Sequence, residues 1–476
     1  MASGRRIGFC LAGILVLAIA TRVAFILLNF DRDWEYDGYA HVISAKSIYA
    51  NPPESLWEAI SWWAKPLYTF VFGSLYQLLP QSWPGLVVAQ AANIVFWLAA
   101  SCLTLRVARE TFRHPLTTVV LAVICGFSFV AFRSTVSANT EPIAAFVLAL
   151  GLYSWHRRNW LAASLCFGLV LLVRTDGIFC VAIFGLEAAR EAWRTQGRRG
   201  IAAAIARGTL VALPTLLWHV ASYIHTGDFL FMETHGNLGI GAGSLGSGRP
   251  WDYVVTFLCF DTALFLCFVA GAALVLAAPR RAGEVLVVST LMALVYFAAM
   301  TLLWTWGLFG AAGWIRYFVF AYPLYILVAG VAVDRLLLQH ARSEKLPSGK
   351  LAAALSLAVV LQLHWLAHGM VTINNNTSLP PVSDLARLPD LAVAWGDKPI
   401  HADHAEAIYY LCRGRRYCDR LPLADVANPG ARGIFIFVGT GFENSAPGGS
   451  LSSFDGLVLQ GKLVGPYGHI TYIFER

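Results

Sequence analysis

Nine consecutive residues, Asp31 to Tyr39 (DRDWEYDGY), hold four carboxylates and three aromatic rings, and they follow directly on the first long apolar run of the chain. Carboxylates at the mouth of a membrane helix suit two jobs: taking a proton from a reacting hydroxyl, or ligating a divalent metal through hard oxygens. Both would act at the lipid surface, where a lipid-linked substrate presents its head group. The same residues also suit a plain polar loop whose aromatics lie in the interfacial belt of a bilayer. Other polar residues bear on the choice: Lys65 in WWAKPLY, Arg133 and Glu141 around SANTEP, Arg174 and Asp176 in LVRTDG, and Arg316-Tyr317. Ionisable groups near membrane depth are costly and tend to line a pathway or a site. Several carboxylates and several cations on one face suit a reaction that needs a general base and releases an anion.

The elements that must position these residues are membrane helices. Hydrophobic residues make up 57% of the 476 and charged residues only 13%, more apolar surface than a soluble fold of this length can hide. Apolar stretches run near 7–29, 86–105, 115–132, 142–155, 160–173, 177–189, 203–224, 253–278, 284–305, 317–337 and 351–371, which predicts about eleven transmembrane helices. Backbone polar groups at depth must be satisfied within the chain, so a helical bundle follows. Arginines gather in every second loop: Arg5 and Arg6, then Arg106, Arg109 and Arg113, then Arg157 and Arg158, then 190–199, Arg280 and Arg281, and 335–350. The positive-inside rule makes those loops cytoplasmic, with the N-terminus inside and the acidic loop and C-terminal tail outside. The net charge of +7 follows from this sorting and gives no reason to invoke nucleic acid. Ala18-Ile19-Ala20 resembles a signal-peptidase site, but apolar residues resume after Arg22, which favours a retained helix.

Two outside loops, 30–66 and 225–252, interrupt the 1–372 membrane module. The second contains GNLGIGAGSLGSG, a run without the strand and helix that a phosphate-binding glycine loop requires. After Thr372 the composition changes. Short alternating runs at Gly433–Val438 and His469–Phe474 predict that 373–476 is a small extracytoplasmic α/β or mostly β domain. Asn375-Asn376-Thr377 matches a glycosylation sequon, which has meaning only in a eukaryotic secretory pathway. Seven of the nine cysteines lie in apolar runs. Cys412 and Cys418, in the outside tail, are expected to form a disulfide in an oxidising compartment, and their spacing is not that of a zinc site. Arginine outnumbers lysine 29 to 6, which points to a GC-rich genome and so to a bacterial inner membrane.

In order and in side, these motifs resemble those of the GT-C class of integral membrane glycosyltransferases, near the protein O-mannosyltransferase and aminoarabinose-transferase branch. Asp37-Gly38-Tyr39 followed by Ala45 and Lys46 resembles that class's first-loop acid and small-residue helix. Gly38 stands where relatives often carry a second acid, a place that Glu35 would serve from the other side. Lys65-Pro66-Leu67-Tyr68 resembles KPPLY with one proline missing, Glu141 stands where relatives carry a further acid, and RTDG and the late helix beginning Arg316-Tyr317 complete the set. The likeness covers about 1–370 and leaves the soluble tail without a motif.

The resemblance implies transfer of a sugar, with inversion, from a polyprenyl-phosphate donor to an acceptor hydroxyl on a glycan, lipid or protein. Asp37, with Glu35 and Glu141, is the candidate catalytic set, and Lys65, Arg174 and Arg316 are candidates for the donor phosphate. Asp37 with Glu35 is alternatively a divalent-metal pair; no cofactor is otherwise required. Each residue also has a structural role open to it. Asp37 suits a helix N-cap, Lys65 and Arg316 suit snorkelling, and Arg174 suits pairing with Asp176 in a tight turn. Asp261, within a span, is either functional or bonded to a neighbouring helix, while Arg22 suits packing. Two other functions stay open. A transporter or lipid flippase would more often show paired half-helices near the midplane, and a non-catalytic membrane subunit would leave the acid-rich loop without a role.

Overall fold

The structure is a computed structural model that describes residues 2–30, 33, 36–49, 65–80, 83–230, 247–308, 315–342, 360, 388–395, 400–402, 409, 411, 432, 434–438, 458–464 and 470–475. The expected span at 351–371, most of the glycine-rich loop, Glu35, and the Cys412–Cys418 pair lie outside them, as does the sequon. The chain divides into two compact units. One comprises Met1–Leu28, Ser61–Tyr68 and Gln90–Val371; the other comprises Asn29–Ile60, Thr69–Ala89 and Thr372–Arg476.

In the first unit every expected span from 7–29 to 317–337 is helical over most of its length. Ile7–Leu28, Gly85–Thr111, Thr175–Thr226, Glu284–Trp306 and Tyr322–Ala341 are long and apolar enough to cross a membrane. A single helix of the length of Thr175–Thr226 would be more than twice the bilayer core. It is in fact two helices, Ile178–Gln196 and Gly200–Thr226, packed on each other and joined at Gly197, whose φ of 57° suits glycine.

Two spans expected to be continuous are broken. The 115–132 run divides into Pro115–Phe127 and Phe129–Thr135, bent by 52°. Ser128 leaves the helical region at φ −59° and ψ 127°, and its hydroxyl accepts from Ala131 N at 3.1 Å, so it caps the second piece. Two buried charges complete the break. Asp261 Oδ2 accepts from Ser128 Oγ at 2.7 Å and from Val130 N at 3.3 Å, next to the new N-terminus. Arg22 donates Nη1 to Gly126 O at 2.9 Å, at the C-terminus of the first piece, and Nε to Thr135 Oγ1 at 2.9 Å. Its guanidinium lies 3.8 Å over the Trp97 ring. An anion at a helix start and a cation at a helix end match the backbone dipoles left bare by the break. Asp261 itself breaks the 253–278 run, ending Asp252–Phe260 and preceding Thr262–Ala277.

The second unit holds the Tyr36–Ser47 helix and most of a helix the expected spans leave out, Pro66–Leu78. At 13 residues the latter is too short to register as a span. Their approach is close: a Cβ at Gly73 would lie 2.5 Å from Ile48 Cγ2 and 2.7 Å from Ala45 O. Tyr49 and Ser74 share a hydrogen bond of 2.9 Å. Among the described residues four strands, Ile400–Ala402 (β1), Ile434–Val438 (β2), Val458–Val464 (β3) and Ile470–Glu475 (β4), form a sheet in the order β1-β2-β4-β3, with β1 parallel to β2. β3 and β4 pair antiparallel, and β4 pairs antiparallel with β2. Two of the strands fall on the alternating runs at 433–438 and 469–474. Ile434, Phe435 and Ile436 are all buried, so β2 is covered on both faces.

Candidate functional site

Each unit contains one group of candidate residues. In the first unit, three of the sequence motifs converge. Leu67 N donates to Leu172 O at 3.1 Å, which ties KPLY to LVRTDG, and Tyr68 Oη donates to Ala138 O at 2.9 Å, which ties it to SANTEP. Asn93, on the Gly85–Thr111 helix, donates its amide to Ser137 O at 2.8 Å and Asn139 O at 2.9 Å. The loop before Glu141 is thus held by its carbonyls. The RTDG turn is held by a close approach: a Cβ at Gly177 would lie 2.5 Å from Val170 Cγ1.

Arg174 is the hub. Nη1 donates to Glu141 Oε1 at 2.6 Å, while Nε and Nη2 form a fork on the two oxygens of Asp176 at 2.9 and 2.7 Å. Bidentate guanidinium–carboxylate pairing is both strong and directional. Arg316 donates to Asn139 Oδ1 at 3.2 Å and lies 3.9 Å from Glu141 Oε1. The Tyr317 ring stands 5.0 Å from the Arg174 guanidinium and 5.7 Å from that of Arg316. Tyr296 Oη is 2.7 Å from Asp176 Oδ2. Glu141 is 2% exposed and Arg174 5%, so the pair is buried. Lys65 is half-buried and within electrostatic reach of Asp176. Among the described residues three cations, Lys65, Arg174 and Arg316, therefore gather about two carboxylates, Glu141 and Asp176. Among the described residues Glu141 Oε2 makes no hydrogen bond. Arg133, on Phe129–Thr135, is half-buried.

In the second unit Asp37 lies in the first turn of Tyr36–Ser47 and is 6% exposed. Asp33, 4% exposed, donates its backbone N–H to Tyr39 Oη at 3.2 Å. A Cβ at Gly38 would fall on the Asp33 carboxylate. The space that a side chain at 38 would take is therefore filled by Asp33, while Glu35 lies outside the described residues. Gly38→Ala should displace Asp33 from a buried position and lower stability by about 1–3 kcal/mol. Combined with Asp33→Ala the penalty should shrink; strict additivity of the two variants in unfolding assays would refute the clash.

Sequence reasoning passed over several neighbours. Asn93 carried a signal, as an amide in the middle of an apolar span. His41 carried another, since it follows Asp37 by one turn, on the same face of the helix, and is buried. Tyr296 and Asn139 carried none. Tyr409, whose ring is 5.5 Å from that of Tyr39 and whose hydroxyl accepts from Leu86 N at 3.3 Å, joins the tail to the acidic helix within the second unit.

No family profile and no curated protein matches the chain. Solved structures do. ArnT from Cupriavidus metallidurans, in a crystal structure with undecaprenyl phosphate bound, aligns over 97% of this chain and 98% of its own at 13% identity, with a TM-score of 0.61. The oligosaccharyltransferase of Archaeoglobus fulgidus in its apo form aligns over 97% of this chain and 74% of its own at 12% identity, with a TM-score of 0.55. The same enzyme in complex with Zn and sulfate gives 0.52. The chain is a polytopic α-helical membrane protein with the GT-C fold, the fold that the motifs led us to expect.

Proposed function

We propose that the protein is a membrane glycosyltransferase that moves a sugar from a polyprenyl-phosphate donor to an acceptor hydroxyl, with inversion. The observation that carries this reading is the convergence of KPLY, SANTEP and LVRTDG on one cluster of cations and carboxylates within the GT-C fold. Cationic side chains held in fixed geometry suit an anion that gains charge as its bond to the sugar breaks. The binding of undecaprenyl phosphate by a protein of the same fold, ArnT, supports a lipid-phosphate donor.

In this account Asp37 takes the proton of the acceptor hydroxyl. The hydroxyl oxygen forms its bond to the anomeric carbon from the face opposite the leaving group, and the carbon–oxygen bond to the phosphate breaks. The electron pair leaves with the polyprenyl phosphate, whose charge Lys65 and Arg316 stabilise. Arg174 is committed to two carboxylates, so its part is to hold Glu141 and Asp176 and to add positive field. Glu141, paired with one arginine and facing another, positions Arg316. The alternative assignment makes Asp37 and Glu35 ligands of a divalent ion. The steps above run through the chain's own residues. The arginine-rich loops support a cytoplasmic N-terminus, an outward-facing site and a bacterial inner membrane.

Binding of a non-transferable polyprenyl-phosphate sugar tests this reading. Lys65→Ala and Arg316→Ala should each weaken it about tenfold or more, the worth of a charged hydrogen bond. Lys65→Arg should recover only part, because a planar fork and a compact ammonium place charge differently. Unchanged affinity in Lys65→Ala, Arg316→Ala and the double variant would overturn the assignment of the phosphate site.

A further inference from the structure

A groove of about 490 Å³ lies in the first unit, where Leu11 and Leu15 of the Ala2–Leu28 helix and Leu105 of the Gly85–Thr111 helix form apolar walls. Arg106, Arg109 and Glu110 stand at one end. The volume falls within the roughly 300–1,000 Å³ of small-molecule pockets. Two observations identify the class of occupant. The first is depth. The span of the first helix begins at Ile7, and Leu15 lies about 12 Å further along it by helical rise, so the groove runs from the membrane surface into the hydrocarbon.

The second observation is charge. Glu110 is already shared by His156 at 3.0 Å, Arg106 at 3.3 Å and Arg157 at 3.5 Å. Arg109 is exposed and makes no ion pair among the described residues. Among the described residues the mouth is therefore positive, with the Arg109 guanidinium available to an anion. An apolar channel ending in arginines matches an acyl chain ending in a phosphate head group, the pattern by which basic pockets between membrane helices take anionic lipids.

We propose that this groove binds one anionic phospholipid, with an acyl chain along Leu11, Leu15 and Leu105 and its phosphate against Arg109 and Arg106. The site belongs to the membrane face where the arginine loops gather, and it takes no part in the transfer chemistry.

The test uses the full chain in nanodiscs of phosphatidylglycerol or phosphatidylcholine with matched acyl chains, followed by native mass spectrometry of retained lipid. Wild type should retain one phosphatidylglycerol in preference to phosphatidylcholine. Arg109→Ala, an exposed position expected to leave folding intact, should cut that preference by about fivefold, the worth of one arginine beside an anionic head group. Leu15→Trp should fill the groove and release lipid of either kind, with an unchanged unfolding temperature as the control for folding. Equal retention of the two head groups in wild type, or an unaltered preference in Arg109→Ala, would overturn the proposal. Displacement of phosphatidylglycerol by equimolar undecaprenyl phosphate would overturn it too, by making the groove a path for the donor lipid.

Discussion

Asp37→Asn should lower sugar transfer by at least about a hundredfold while leaving donor binding within a fewfold of wild type. Removing a positioned base costs on that order, and the amide keeps the shape and a hydrogen-bonding oxygen. Loss of a negative charge from the buried first turn of Tyr36–Ser47 should cost up to about 2 kcal/mol of stability. The two readouts therefore separate: turnover collapses, and the fold and the donor site remain. A helix cap would behave in the opposite way, with a modest stability loss and nearly normal turnover. Wild-type turnover by Asp37→Asn would reject it as the base, and Asp33→Asn and Glu35→Gln would then be the variants to measure. Asp33 earns its place in that comparison because its carboxylate occupies the space beside Asp37 that Gly38 leaves open.

Arg174→Ala should destabilise the protein by about 3–5 kcal/mol, because it strands the buried carboxylate of Glu141 and the half-buried one of Asp176. Arg174→Lys should recover part of this, since an ammonium keeps the charge but cannot make the fork on Asp176. The informative variant is the neutral one. Arg174→Met combined with Glu141→Gln and Asp176→Asn removes the charges together and should be far more stable than Arg174→Ala alone. It should nonetheless be inactive, with Arg316 no longer held against Glu141. Unfolding midpoints in detergent, with turnover of the same preparations, separate the stabilising part of the network from its effect on chemistry. Arg174→Ala with a wild-type midpoint would show that the pair is not the structural anchor the geometry makes it.

How far the sequence carried the fold varies with the kind of signal. Long apolar runs mark helices because lipid admits little else, and the runs from 7–29 to 317–337 are helical. Pro66–Leu78 was hidden, since a short apolar helix has no lipid-length signature. The break at Ser128 was equally hidden. A serine in an apolar run does not by itself stop a helix; here Asp261 and Arg22, distant in sequence, stabilise the bared ends. The cluster was legible as residue types and illegible as partners. Arg174 with Asp176 could be read from a two-residue spacing, whereas Glu141 as the third member required a fold that brings 141 and 174 together. Gly38 read as a missing acid; the structure places Asp33, five residues earlier, over it.

Purified protein incubated with a panel of labelled polyprenyl-phosphate sugars and a set of hydroxyl acceptors distinguishes sugar transfer from transport. A transferase should give acceptor-dependent loss of label from one donor, release of unlabelled polyprenyl phosphate, and abolition of both in Asp37→Asn. Movement of the label across the bilayer with its sugar–phosphate bond intact, unaffected by Asp37→Asn, would contradict transfer and make the protein a carrier of lipid-linked sugar.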